Sequence, residues 1–446
     1  MEARVYPDTA RDAGMGYMTR KRREIALLRD ALSHSPELPP PTSAADAIDQ
    51  KFQLAAAMRA ERAMESWPLT ETAHPATARW RAGAFTFSFA YQRADLAVRG
   101  PPVYPRLAAL PLTTIYTGNG MSAIASLVTG LMQIEERLHI AMPAGAYGET
   151  IELLQRFGDR VVVEAWRDTP LPHGPRSSLR VLWIDSCVPD AFNEYRELSP
   201  GVFDLIALDT TCFGHGSRRI ANVVAWARAA ERPVALVRSH AKLDSLGVEY
   251  GRLGSLVFVA DRHAHDARRT VHLLREVKEA IRLLGAAALP SHFPPFVGEL
   301  AYRTLTAQRT AAIMRNTRRM ARRFAHGDLS GRVRRFQHGV YLTLAPPSMR
   351  ADSLRSTVAR IYDALAVDRL PVKHAGSFGF DFTALDLFPD PLTHADTLRV
   401  APGDLPPNVV DQIADSIVAQ WNAEGEARRS NVTRGANGAP LAAASS

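Results

Sequence analysis

Lys242 stands in the stretch RSHAKLDSLG, and its type is uncommon in this chain: of 54 basic residues only five are lysine, at positions 21, 51, 242, 278 and 373. A guanidinium stays protonated, whereas an amine can shed its proton, attack a carbonyl and carry protons. Ser239 precedes it by three residues and ends the apolar run VALVRS, so a hydroxyl and an amine leave one strand end together. Asp209 closes another apolar run, FDLIALD. A carboxylate at a buried strand end needs a partner, which can be a helix cap, an arginine or a protonated ring nitrogen. Upstream, YTGNGMSAIAS passes from a strand through Gly118 and Gly120 into a helix that begins near Met121 and Ser122. Free amides at such a helix start suit a phosphate, and a plain strand-to-helix turn has the same signature. In chain order the three features form an anion cup, a ring-holding carboxylate and a nucleophilic amine. Together they are what an aldehyde cofactor with a phosphate and a basic ring requires.

The elements that must position these groups are legible as alternating patterns. From about residue 105 to 290, short apolar runs (LHIAMP, RVVVEAW, LRVLWIDS, FDLIALDTT, RPVALVRS, GSLVFVAD) alternate with helical periods such as MSAIASLVTGLMQIEERL and RRIANVVAWARAAE. Near-continuous apolar strands separated by helices predict an α/β fold, a mostly parallel sheet sandwiched by helices, with its chemistry at the strands' carboxyl ends. The expected division is an N-terminal arm over 1–85, a large domain over 86–290, a smaller α+β domain over 291–425 and a disordered tail over 426–446. The arm shows one clear helical stretch, KRREIALLRDAL, before the break SPELPPPTSAADA.

Composition narrows the classes further. Hydrophobic residues at 46% and charged ones at 22% are ordinary for a globular protein of 446 residues. No charge-free run reaches membrane-spanning length, and two cysteines exclude a disulfide framework or a four-ligand zinc site, so a cytoplasmic protein without a metal or membrane partner is expected. A net charge of +8 permits a nucleic-acid partner without demanding one.

With these motifs in place the chain resembles the pyridoxal 5'-phosphate enzymes of fold type I (aspartate aminotransferase-like), within them the cysteine and methionine metabolism group that includes cystathionine γ-synthase and cystathionine γ-lyase. GNGMSAIAS is similar to the group's phosphate turn, which implies backbone roles for Gly120 and Met121. AGAYGETIELLQRFG resembles its tyrosine-glycine-glycine-threonine segment, placing Tyr147 on the cofactor ring. ALDTTCF parallels the strand end that sets Asp209 against the pyridine nitrogen. RSHAKLD parallels serine-x-threonine-lysine, making Ser239 a phosphate ligand and Lys242 the Schiff-base lysine. FAYQRADL carries Tyr91 and Arg93 in a pattern that in the group reaches the neighbouring subunit's phosphate, implying a homodimer or homotetramer. GSFGFDFTALDLFP puts Ser377 in a substrate-side loop, and DTLRVAPGDL puts Arg399 on the substrate carboxylate.

The resemblance implies an amino-acid substrate and a lyase or transferase reaction, elimination or replacement at the side chain, with Cγ the expected position and an unusual amino acid the expected substrate. Lys242, Tyr147 and Tyr91 are the expected proton carriers. An aminotransferase of the same fold is the alternative within enzymes. A ligand-sensing regulator is the alternative outside them, disfavoured because the first 80 residues lack a helix-turn-helix. The chain departs from the group at Ala241, where threonine is usual, after Lys242, where LDSLGVEYGRLGS replaces the usual turn, and at IDSCVPD, which lacks the asparagine that touches the ring hydroxyl. His215, His240, His263 and His265 show no metal spacing and read as loop or surface residues. RNTRRMARRF reads as a solvated helix face, and Lys278 as a surface ion pair.

Overall fold

A computed structural model describes residues 10–70, 79–88, 96–166, 178–188, 191–259, 267–326, 329–345, 351–389 and 395–436. Tyr91, Arg93, His263 and His265 lie outside the described residues. The chain opens with two helices, α1 (Ala10–Asp30) and α2 (Ala44–Thr70), where one helical stretch was expected. A small antiparallel sheet follows, β1 (Arg79–Ala82), β2 (Phe85–Ser88) and β3 (Ala97–Arg99).

The large sheet is built from β4 (Leu112–Thr117), β5 (Leu138–Met142), β6 (Val161–Ala165), β7 (Leu179–Asp185), β8 (Leu205–Asp209), β9 (Val234–Ser239) and β10 (Gly254–Val259). Its helices are α3 (Gly120–Ile134), α4 (Gly148–Gln155), α5 (Arg218–Arg228) and α6 (Ala267–Leu283). The strand order is β4-β10-β9-β8-β7-β5-β6, and every neighbouring pair from β9 to β6 is parallel. LIALD of β8 and GSLVFV of β10 are buried at every position, as expected of strands covered on both faces. Apolar clusters lie on the two sides, one around Leu127, Trp183 and Val277, the other around Leu182, Leu208 and Val224.

β10 runs antiparallel to both of its neighbours. The chain between β9 and β10 holds no crossover helix, so the strand must return as a wide hairpin, and Gly254 lands opposite Ser239. Lys242 sits in that hairpin. Because β4 is antiparallel to β10, it points the same way as β9, and the carboxyl ends of β4, β5, β7, β8 and β9 all open on one side.

The remaining elements form a second layer: α7 (Leu300–Phe324), β11 (Val333–Arg335), β12 (Leu342–Leu344), α8 (Ala351–Val367), β13 (Val372–His374), β14 (Thr383–Pro389), β15 (Asp396–Ala401) and α9 (Pro407–Ala436). The smaller sheet has the order β11-β12-β15-β14-β13. Helix α9 extends to Ala436, into the stretch where disorder was expected; residues 437–446 lie outside the described residues. The arginine-rich face of α7 is partly ion-paired: Arg319 donates to Asp411 at 2.5 and 2.6 Å, and Arg323 reaches Asp411 and Asp415. Lys278 is exposed on α6, whose described ion pairs include His272 and Arg275 with Glu276 and Arg282 with Glu279.

The two N-terminal helices are tied to the rest by a buried charge cluster. Lys21 donates to Glu24 (2.9 Å), Asp381 (2.7 Å) and Asp404 (2.8 Å), while Lys51 bonds Glu24 and Asp381 and donates to the Leu246 carbonyl at 2.6 Å. Arg309 pairs with Asp381 and donates to the Gly379 carbonyl at 2.9 Å, and Arg20 reaches Asp404 at 2.5 Å. The basic stretch TRKRRE therefore turns part of its charge inward, with Lys21 fully buried.

Candidate active site

A cavity of about 910 Å³ opens where the carboxyl ends of the large sheet meet the smaller one. Gly120, Met121, Tyr147, Asp209, Ser239, Lys242, Ser377 and Arg399, the expected site residues within the described chain, all line it.

Lys242 is held by the fold of its own loop. Arg238, fully buried on β9, donates from Nε and Nη2 to Asp244, each at 2.6 Å, and from Nη1 to the carbonyls of Thr210 (2.9 Å) and Phe213 (2.8 Å). This clamp folds residue 244 back on the strand and presents 242 to the cavity. His240 is buried rather than at the surface: its Nδ1 lies 2.9 Å from Asp244 and its Nε2 2.8 Å from the Ser255 hydroxyl. Asp244 is held well below the carboxylate range by Arg238, so it accepts from Nδ1, and Nε2 accepts from Ser255. Burial pushes His240 down and keeps it neutral. His215 approaches the same carboxylate at 3.6 Å.

The Lys242 amine donates to the Ser377 hydroxyl at 2.5 Å and stands 3.9 Å from Glu249. Burial lowers its pKa, and the nearby Glu249 carboxylate opposes that without cancelling it. Ser377 can come this close because Gly379, at φ +91°, lies against the lysine's main chain: a Cβ there would meet the Lys242 carbonyl oxygen at 2.9 Å.

Asp209 ends β8 with one carboxylate oxygen accepting from the Thr211 amide at 2.8 Å. Burial, and next the charge of Asp185, push it up to about 7. On the neighbouring turn, Asn119 caps α3 by accepting from Ser122 N at 2.7 Å. The amides of Gly120 and Met121 have no acceptor within the helix, by the geometry of a first turn. A Cβ at Gly120 would meet Ser239 Cβ at 2.8 Å, so only glycine lets this helix start sit on the end of β9. Tyr147 precedes α4; burial and the Glu149 carboxylate raise its phenol well above the usual range.

Arg399, on β15, is buried with its guanidinium 4.6 Å from the Phe388 ring centre and 3.2 Å from Asp386, and its Nε has no hydrogen-bond partner among the described residues. A buried donor without an acceptor is costly, and an entering carboxylate satisfies it. The groups fit pyridoxal phosphate: free amides and a hydroxyl for the phosphate, a buried uncompensated carboxyl for the ring nitrogen, and an amine with lowered proton affinity for the aldehyde.

Lining residues that escaped the sequence reading include Asp185, Glu149 and Arg59. Asp185 closes LRVLWID as Asp209 closes FDLIALD, and that parallel was the available signal. Glu149 and Arg59 had none, since one replaces a glycine of the family pattern and the other belongs to a helix that was not anticipated.

No protein-family model matches the chain, and no curated protein does. Solved structures do. The cystathionine γ-synthase from Xanthomonas oryzae pv. oryzae, in complex with cystathionine, superposes with a TM-score of 0.52 at 15% identity, covering 86% of this chain and 100% of that one. The γ-lyase CalE6 from Micromonospora echinospora gives 0.53 at 13% identity, covering 91% and 99%. Its apo form, described as a methionine γ-lyase, gives 0.51 at 14%, covering 91% and 99%. The fold expected from the motifs is the fold observed, over nearly the whole length of these enzymes.

Proposed function

We propose that the protein is a pyridoxal-phosphate-dependent enzyme that eliminates or replaces a group on the side chain of an amino acid, at Cγ. The observation that carries this reading is the convergence of Lys242, Asp209, the Gly120–Met121 turn with Ser239, and Arg399 on one cavity. When bound, the cofactor supplies an aldehyde that condenses with amines and a ring that withdraws electrons from the substrate's Cα.

The chain's own residues do the rest. Gly120, Met121 and Ser239 bind the phosphate. Asp209 holds a proton at the ring nitrogen, and its raised proton affinity suits a buried N–H partner. Arg399 grips the α-carboxylate through its free Nε and fixes which Cα bond faces Lys242. Lys242, with its lowered proton affinity, is neutral more readily than a solvated amine and removes the Cα proton, aimed by Ser377. Tyr147 keeps its proton over a wide pH range, so it serves as a ring cover and hydrogen-bond donor beside Glu149 rather than as a base. Tyr91 and Arg93 complete the phosphate site from a second copy of the chain, making a dimer the smallest active unit.

Purified protein given pyridoxal phosphate develops absorbance in the near ultraviolet and visible, and borohydride fixes the label on Lys242. Amino acids with a leaving group at Cγ then yield a 2-keto acid and ammonia. A colourless protein, or a label on another residue, overturns the reading. Accumulation of pyridoxamine phosphate without ammonia turns it into an aminotransferase.

A further inference from the structure

Asp185 and Asp209 end adjacent parallel strands and stand directly in register, so two buried carboxyls lie side by side at the floor of the cavity, and both line it. Asp185 accepts from the Tyr147 amide at 2.9 Å through one oxygen and from the Cys187 amide at 2.8 Å through the other. Neither carboxyl has a cationic side chain in an ion pair among the described residues; Arg238, the nearest cation on β9, is engaged with Asp244. The other titratable and charged groups facing the pair are Cys187, Cys212, Tyr104, Tyr147, Tyr341 and Arg399. Two buried acids left without a counter-cation are an arrangement that calls for one from outside the chain.

Resting on the cofactor reading above, we propose that Asp185 is a positioning residue for the ring: standing beside Asp209, it strengthens the hold on a protonated ring nitrogen, and by accepting from the Tyr147 amide it fixes the residue that covers the ring. A ring N–H⁺ between the cavity and this floor meets two negative charges where one would suffice for a hydrogen bond. The second charge makes the site select a basic ring over an isosteric neutral one. Burial raises both carboxyls, and the charge of Asp185 raises Asp209 further, so a ring cation entering beside them relieves a strain that the chain alone leaves in place.

The discriminating measurement compares the affinity of full-length protein for pyridoxal phosphate with its affinity for the 1-deaza analogue, in which a carbon replaces the ring nitrogen, by absorbance titration in the wild type and in Asp185→Asn. The amide keeps an acceptor for Tyr147, gives up the one for the Cys187 amide and removes the charge. The expected result is about a tenfold loss for pyridoxal phosphate, equal to one pKa unit of interaction, and less than about a threefold change for the analogue. Equal losses for both ligands overturn the proposal and reduce Asp185 to a structural acceptor. Asp185→Ser, small and neutral, gives the same comparison if the asparagine chain does not fold. If the wild type binds neither ligand, the cofactor reading itself fails, an outcome distinct from equal losses in the variant.

Discussion

Two regions of the molecule bury lysine, and they treat it in opposite ways. At the cavity, Lys242 has one hydroxyl and a carboxylate 3.9 Å away, and burial wins: its amine binds its proton less tightly than in water. Beneath it, Lys21 sits among Glu24, Asp381 and Asp404, each within 2.9 Å, and carboxylate attraction outweighs complete burial, so its proton is held more tightly than usual. Lys51 lies between these cases. It touches two of the same carboxylates, yet desolvation brings it down to about 8. The cluster sets four cations (Arg20, Lys21, Lys51, Arg309) against three carboxylates, and Lys51 is the one least supported. The rarity of lysine marks the half-buried Lys242 and the fully buried Lys21 and Lys51 alike. The count and closeness of carboxylates separates a reactive amine from a structural one.

The sharpest way to break this comparison is at Lys242. Lys242→Ala removes the coloured adduct with pyridoxal phosphate and lowers turnover by about 10³-fold or more, while the unfolding midpoint in urea stays near the wild-type value. A large fall in stability instead would move Lys242 into the structural class. The reverse pattern belongs to Asp381, which bonds Lys21, Lys51 and Arg309. Asp381→Asn leaves buried cations uncompensated and costs about 3–5 kcal/mol in denaturant unfolding, whereas Lys51→Met leaves three cations facing three carboxylates and costs less. Equal costs would show that the charge imbalance has no bearing on the cluster.

Arg399→Lys sharpens the same contrast within the cavity. A lysine cannot supply the planar fork or the Nε donor, and the expected change is a rise in KM for the amino acid of about 10- to 100-fold with a smaller change in kcat. An unaltered KM would detach Arg399 from the carboxylate. The smallest effect concerns pH. Because Lys51 in the folded chain releases its proton near 8 and in the unfolded chain near its ordinary 10.5, the unfolded chain binds more protons between those values. Stability from this group therefore rises with pH across that window. Wild type should gain on Lys51→Met in urea titrations carried out from pH 8 to 10, and a constant difference between them would contradict the assignment.

Much of the site was legible because its parts obey local rules. Asp209 at the end of an apolar strand, glycines before a helix and a lysine just past a strand are visible without tertiary knowledge, and each lies in the one cavity. Asp185 obeys the same rule at the end of LRVLWID, although its segment IDSCVPD departs from the family pattern that FDLIALD follows. The cluster was not legible. Lys21, Glu24 and Lys51 occupy helix positions that normally face water, and the groups that compensate them come from residues 309, 381 and 404. No local window contains both halves. The single helical stretch expected in the first 80 residues was short of the observed pair for a related reason, since the buried side of α2 mixes Lys51, Gln50 and alanines with Ile48, Leu54 and Met58 and so carries no clean apolar stripe.

The lysine loop is gripped by its main chain. Tyr302 donates to the carbonyl of Asp244, Lys51 to that of Leu246, and Arg59 to those of Val248 and Glu249. Every residue type offers a carbonyl, so this part of the grip does not read side chains, whereas the Arg238 clamp on the Asp244 carboxylate does. Where only a carbonyl is gripped and the side chain looks into the cavity, as at Glu249, the residue is free to be rewritten while the amine at the head of the loop keeps its address. Such a scaffold can change what it accepts without rebuilding how it reacts.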